Sequence, residues 1–345
     1  MNCNKPIQRI VLVLILIVSL NVTAQEAKSD HVVNVEQLVE LLKNDTPTIL
    51  IDISKSEDFS EGHIPHARNV WRDRFVDSTR AFGGMMATRK GMQQLLSELG
   101  VSSQDKIILY DNKGGCEAAR LWWILFTHGH KNTAILNGGL RAWKNAGETT
   151  SQDIISVKPS NYQFPNKEDH SLFTQLSNVK SAVQNPDAVI LDTRSWKEYT
   201  GEIQKKGAYR KGRIPSSIFS EWLKTVNYSD DQAFKSNSEL TKLFHSKGIT
   251  KDKEIIVYCQ SGVRSAHITF VLTELLGFPN VKNYDGSWIE WSYNKDLPIE
   301  KGELPEEDVA DDVADQDKNE GTFVFWVVIL PLFLLFIIIV RRRKK

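Results

Sequence analysis

Residues 254–277 read EIIVYCQSGVRSAHITFVLTELLG, and their reading decides the fold. Glu254 to Tyr258 is a short, nearly continuous apolar run. Strands buried on both faces of a parallel sheet have this character. From about Ser265 the apolar residues fall at helical spacing until Gly277 stops them. Between strand and helix lies Cys259-Gln260-Ser261-Gly262-Val263-Arg264. The cysteine therefore sits at the carboxyl end of a strand, where open α/β sheets hold their ligands. Successive backbone N–H groups in such a loop form an anion-binding nest, and the helix N-terminus adds partial positive charge. Gly262 supplies backbone freedom, and Arg264 contributes a full charge. All of these favour thiolate over thiol, so Cys259 is the expected nucleophile. The alternative, a buried inert cysteine, leaves the strand-end position, the glycine and the arginine without a purpose.

Working outward, the same pattern occurs twice. ILIDISKSEDFSEGHIPHA starts at Ile49 and VILDTRSWKEYTGEIQKKGAYRKGRIPSS at Val189, 140 positions later. KIILYDNKGG from Lys106 matches EIIVYCQSGV from Glu254, and ILNGGLRAWKNAG from Ile135 matches NYDGSWIEWSYNKD from Asn283. Order and spacing agree, which points to a duplication. Each copy alternates strand-like runs with amphipathic or apolar helices such as AARLWWILFTHG. The predicted class is α/β, two tandem domains with mainly parallel sheets flanked by helices. The domains are expected over residues 34–150 and 172–300, with a polar linker at 151–171.

The ends of the chain differ from its middle. Lys5 and Arg9 precede an apolar run from Ile10 to Leu20 and a small-residue site at Val22-Thr23-Ala24. Residues 1–24 read as a secretory signal. Residues 301–321 are acidic and poor in apolar groups, as a disordered stalk would be. Phe323 to Val340 is apolar throughout, so residues 322–340 are expected to form a C-terminal transmembrane helix, with RRRKK (341–345) as its cytoplasmic tail. This order predicts a single-pass membrane anchor with both domains on the extracytoplasmic side, periplasmic in a bacterium. Lys+Arg and Asp+Glu each number 43, and this balance argues against a general nucleic-acid partner. Removing the signal would take Cys3, leaving Cys116 and Cys259, too few for a disulfide scaffold.

YCQSGVRSAH, the GRIP phrase, the DTR strand end and NYDGSW together resemble the tandem rhodanese family, and most of all bacterial thiosulfate sulfurtransferases. The likeness covers roughly residues 34–300. It implies that only the C-terminal domain is catalytic and that the N-terminal copy is silent; Asp111 indeed stands where Cys259 stands in the second copy. It implies sulfane sulfur transfer from a small donor, thiosulfate, to a thiol, protein or cyanide acceptor through a Cys259 persulfide, with no metal or organic cofactor. Gln260, Ser261, Gly262, Val263 and Arg264 would form the substrate cradle, with Arg264 on the dianionic donor. Arg194 resembles the family's strand-end arginine, expected at the donor; a structural salt bridge is the alternative.

Two departures bear on the donor. Vertebrate-type enzymes carry a substrate-binding arginine four residues beyond the DxR arginine, and here that position is Glu198. Mercaptopyruvate sulfurtransferases use a Ser–His–Asp set, and Asp52, His63 and Ser261 fall on the matching positions, which keeps mercaptopyruvate as the second donor. For His63, a turn role in EGHIP is the alternative. Lys205, Lys206, Arg210, Lys211 and Arg213 could steer anions. Cys116 could resolve the persulfide if the two loops meet; an inert small residue is the alternative. Phosphatases of related fold have the arginine six residues after the cysteine. Here that residue is Ser265, and the shorter loop suits sulfur rather than phosphate. A persulfide relay or binding module is the remaining, non-enzymatic reading.

Overall fold

A computed structural model describes residues 29–44 and 47–302. It contains two five-stranded sheets, and every strand pair in both is parallel. The first holds β1 (Val32–Val33), β2 (Thr48–Asp52), β3 (Arg68–Asn69), β4 (Lys106–Tyr110) and β5 (Thr133–Leu136), in the order β1-β5-β4-β2-β3. The second repeats this order with β6 (Phe173–Thr174), β7 (Ala188–Asp192), β8 (Ile218–Phe219), β9 (Glu254–Tyr258) and β10 (Val281–Tyr284), as β6-β10-β9-β7-β8. The central strand pairs align Asp52 with Tyr110 and Asp192 with Tyr258, so the duplication extends to register.

The strands are buried on both sides. Ile107 and Leu109 face a core with Trp122 and Trp123, whereas Ile108 and Tyr110 face another with Leu38, Phe59 and Trp143. This alternation is why the strand sequences read as unbroken apolar runs rather than in–out patterns.

The domains share a core through two helices, Cys116–His128 and Val263–Phe270. Ala266 and Phe270 of the second domain join the cluster built on Trp122 and Trp123 of the first. Trp122 and Phe270 meet edge-to-face at 4.7 Å, a geometry that adds a specific aromatic contact to the burial.

The expected linker is packed rather than free. Tyr162 and Phe164 are buried in the first domain's core, and Ser151 bridges to His63. Among the described residues no helix is long and apolar enough to cross a membrane. The expected signal, transmembrane helix and basic tail, and nearly all of the acidic stalk, lie outside the described residues.

Candidate active site

Cys259 follows β9 directly and is 1% exposed. The loop closes at Gly262, whose φ of +80° is the left-handed region that glycine adopts without penalty. The helix begins at Val263, earlier than the sequence spacing suggests, because Gly262 caps it and turns the chain at once.

Four hydrogen-bonding and charge contacts define the sulfur's surroundings. Ser265 Oγ lies 3.5 Å from Cys259 Sγ, and the backbone N–H groups of Ser261 and Ser265 also donate to it. Arg264 supplies the positive charge. Burial alone would raise the thiol's pKa, yet Arg264 and these donors outweigh it and hold Cys259 below the usual cysteine range. Two further N–H groups of the loop, those of Cys259 and Gly262, donate to Ser287 Oγ at 3.2 and 3.0 Å. Ser287, itself at φ +48°, thus pins the loop from below.

Arg264 does not stand free as a donor-binding guanidinium. It forms a two-pronged ion pair with Glu198, at 2.8 and 2.9 Å. Burial works to raise the Glu198 carboxyl, but Arg264 and Lys205 prevail and hold it at about 2. Glu198 therefore does more than remove an arginine: it fixes the direction of Arg264. Lys205, 3.4 Å from Glu198, restores a positive charge at this group.

Arg194, expected at the donor, is held in a buried ion pair with Asp192, the arrangement its alternative reading describes. It is 1% exposed, with Nε and Nη2 donating to Asp192 at 2.6–3.0 Å and Nη2 to Gly212 O at 2.8 Å. Its guanidinium also lies over the Trp288 ring at 4.7 Å. Arg210 and Arg213 leave the steering group for the same reason. Arg210 donates to five backbone carbonyls between Trp291 and Leu297, and Arg213 pairs with Glu300 and donates to Gly302 O.

The Asp52–His63–Ser261 set is not assembled. His63 is fully buried, with its ring nitrogens on Phe59 O and Asp153 O and its ring stacked on Phe59. Asp52 is buried beside Tyr110, and burial pushes its carboxyl up to about 6. Ser261 lies in the other domain, against Gly84. No hydrogen bond joins Ser261 to either partner among the described residues.

The first domain's loop holds a carboxylate where the second holds Cys259. Asp111 fills its own nest, accepting from the N–H groups of Lys113, Gly115, Glu117 and Ala118 at 2.7–3.0 Å. A fixed carboxylate thus occupies the position that the thiolate takes in the second domain. Cys116 begins the helix after this loop, and Cys259 and Arg264 lie within its electrostatic reach. Burial pushes the Cys116 thiol well up, which makes it a poor nucleophile at neutral pH.

Sequence reasoning missed Ser265, Ser287 and the role of Glu198. A hydroxyl in the first helical turn after a nucleophile's loop was the available signal for Ser265. The others come from segments 28 and 66 positions away from their partners.

Comparison with known proteins places the chain in a family. The model of the rhodanese-like domain matches residues 34–146 and again 175–294. The sulfur carrier protein TtuD of Thermus thermophilus is 37% identical over 256 residues, covering 71% of this chain and 87% of that protein. The thiosulfate sulfurtransferase of Pseudomonas aeruginosa is 31% identical over 252 residues, 73% of this chain and 90% of its own length. Among solved structures, the anaerobic ergothioneine biosynthesis enzyme of Chlorobium limicola superposes with a TM-score of 0.70 over 80% of this chain and 71% of that one, at 24% identity, a likeness of fold.

Proposed function

The chain belongs to the rhodanese-like family, with two such domains in tandem, and on that premise we propose that it moves sulfane sulfur from thiosulfate to a thiophilic acceptor through a persulfide on Cys259. The observation that carries this reading is one activated thiol among the described residues. Cys259 is buried at a strand end, cradled by backbone N–H groups and Arg264, and held below the usual cysteine pKa.

In the first half-reaction the Cys259 thiolate attacks the outer sulfur of thiosulfate. A new S–S bond forms, the donor's S–S bond breaks, and sulfite leaves with the electron pair. The persulfide's outer sulfur then lies in the nest, where N–H groups stabilise its negative charge. In the second half-reaction a cyanide, thiol or protein nucleophile attacks that outer sulfur, and the Cys259 thiolate departs. Ser265 and Arg264 stabilise the thiolate in both the attacking and the leaving role.

A protein acceptor is supported by the relative named a sulfur carrier. Mercaptopyruvate is the weaker donor reading, since the buried His63 faces Phe59 O and Asp153 O of its own side and forms no hydrogen bond with Ser261 among the described residues. Anchoring to a membrane with both domains outside the cytoplasm is supported by the apolar segments near each end of the sequence. Sedimentation of the full chain with membranes, and its digestion by protease added outside intact cells, test that placement; a soluble or protected chain overturns it.

Steady-state transfer from thiosulfate to cyanide tests the mechanism. The expected result is parallel double-reciprocal lines, as ping-pong kinetics require, with thiosulfate a better donor than mercaptopyruvate. Intersecting lines, or a preference for mercaptopyruvate, would overturn the reading.

A further inference from the structure

The silent domain reaches into the sulfur loop at one point. Arg120 lies on the Cys116–His128 helix, is 1% exposed, and stacks over Trp123 at 4.9 Å. Its guanidinium spans three pieces of chain. Nη1 donates to Gly262 O at 3.3 Å, in the sulfur loop. Nη2 donates to Gly84 O at 2.8 Å, in its own domain, and to Asp285 Oδ1 at 2.6 Å, after β10. Asp285 answers across the same boundary, its Oδ2 accepting from Met86 N at 3.0 Å. Both members of the ion pair are almost wholly buried, with side-chain exposures of 1% and 2%.

The fit around this tie leaves no slack. A Cβ on Gly262 would come within 2.6 Å of Arg120 Nη1 and 2.9 Å of Asp285 O. A Cβ on Gly84 would come within 2.6 Å of Ser261 Cβ. Asn283 Nδ2 is a second donor to Gly262 O, at 3.2 Å. Gly262 lies between Ser261 and Ser265, the two residues whose N–H groups face the sulfur. Fixing its carbonyl fixes the left-handed turn, and with it the direction of those N–H groups. Glycine is free to leave this conformation, so it is the two donors on its carbonyl that hold the turn.

From this we infer that Arg120 is a positioning residue for sulfur transfer: the catalytically silent domain holds the Gly262 turn through the Arg120–Asp285 tie and so aims the nest at Cys259. This rests on the reading of Cys259 as the sulfur-carrying nucleophile. Arg120 touches neither the donor nor the sulfur; it acts through Gly262. It also gives the duplicated domain a task that its own loop, filled by Asp111, cannot perform.

Arg120→Lys is the informative change. A lysine keeps the charge and can still pair with Asp285, but its single ammonium lacks the planar fork that serves three separate acceptors. The neighbours that set the Cys259 thiol electrostatically are Arg264, itself paired with Glu198, and Cys116 on the facing helix; the substitution leaves all three in place.

The test uses the full chain. The pH dependence of Cys259 alkylation and the thiosulfate:cyanide kinetics are measured for wild type, Arg120→Lys and Asp285→Asn, with unfolding followed in parallel. Wild type should gain sulfur from thiosulfate; failure there would sink the reading of Cys259 itself. With that established, Arg120→Lys should remain folded while its thiol pKa rises by about one unit, equivalent to roughly tenfold less thiolate well below the pKa. Its kcat should fall by a similar factor with KM for thiosulfate little changed. Asp285→Asn loosens the same tie but leaves the Arg120 charge uncompensated, so its readout is kcat, which should fall with KM for thiosulfate little changed. A folded Arg120→Lys protein with the wild-type pH profile overturns the inference. If that variant unfolds, a folded Asp285→Asn protein with wild-type kcat overturns it, and unfolding of both would reduce the tie to a matter of stability.

Discussion

Replacing Glu198 with glutamine separates two effects that the Glu198–Arg264 pair combines. The carboxyl is buried, accepts both prongs of Arg264, and titrates at about 2 against an ordinary 4.5. At about 1.4 kcal/mol per pH unit, that depression corresponds to about 3 kcal/mol of stability at neutral pH. Removing one partner of a buried pair typically costs about 3–5 kcal/mol, which is consistent. Because the folded-state pKa is lowered, the contribution is fully present above the unfolded value and is lost as pH falls toward 2. Denaturant unfolding of Glu198→Gln should therefore show a deficit of about 3 kcal/mol at pH 7 that shrinks progressively below pH 4.5. The chemistry should move the other way. With the carboxylate gone, the charge of Arg264 acts on Cys259 uncompensated, so the alkylation profile of the thiol should shift to lower pH. Wild-type stability at pH 7, or a thiol profile that stays put or moves upward, would refute the pairing as described.

Asp52 offers the opposite sign. It is buried, its carboxyl is raised from 3.8 to about 6, and Ser54 occupies the position that Arg194 holds in the second copy. Ionising it costs the folded state up to about 3 kcal/mol above pH 6, a penalty absent below about 3.8. Asp52→Asn should therefore raise the unfolding free energy at pH 8 and lose that advantage near pH 4; equal gains at both values would contradict the assignment. Arg194→Met should destabilise the chain by about 3–5 kcal/mol, because it leaves Asp192 buried without its counter-ion. The folded fraction should keep its KM for thiosulfate; a large rise in KM with stability intact would return Arg194 to the donor site.

The fold and the candidate thiol were legible for a common reason. Both are written in contiguous residues: apolar runs for strands doubly buried, and Cys259 with its glycine and arginine in one loop. The structure extends the repeat to register, since Asp52–Tyr110 and Asp192–Tyr258 are the same pairing twice. What stayed hidden is held together over long sequence distances. Nothing near Arg264 announces Glu198, 66 positions away, and nothing near Gly262 announces Arg120 in the other domain. Arg194 was misleading because a strand-end arginine suits a donor as well as it suits Asp192, and only burial decides between them. His63 is similar: its position in the motif matches a catalytic set, but its ring is stacked on Phe59 inside the domain. Asp111 in place of cysteine was visible in the sequence, whereas the four N–H groups that bind its carboxylate required the structure.

The central claim is that one thiol, Cys259, carries the sulfur, and the mass of the intact protein tests it most directly. After incubation with thiosulfate and removal of the excess, the wild-type chain should gain one sulfur atom, lose it on addition of cyanide, and gain none as Cys259→Ser. A wild-type mass unchanged by the donor, or a gain that persists in Cys259→Ser, would contradict the account.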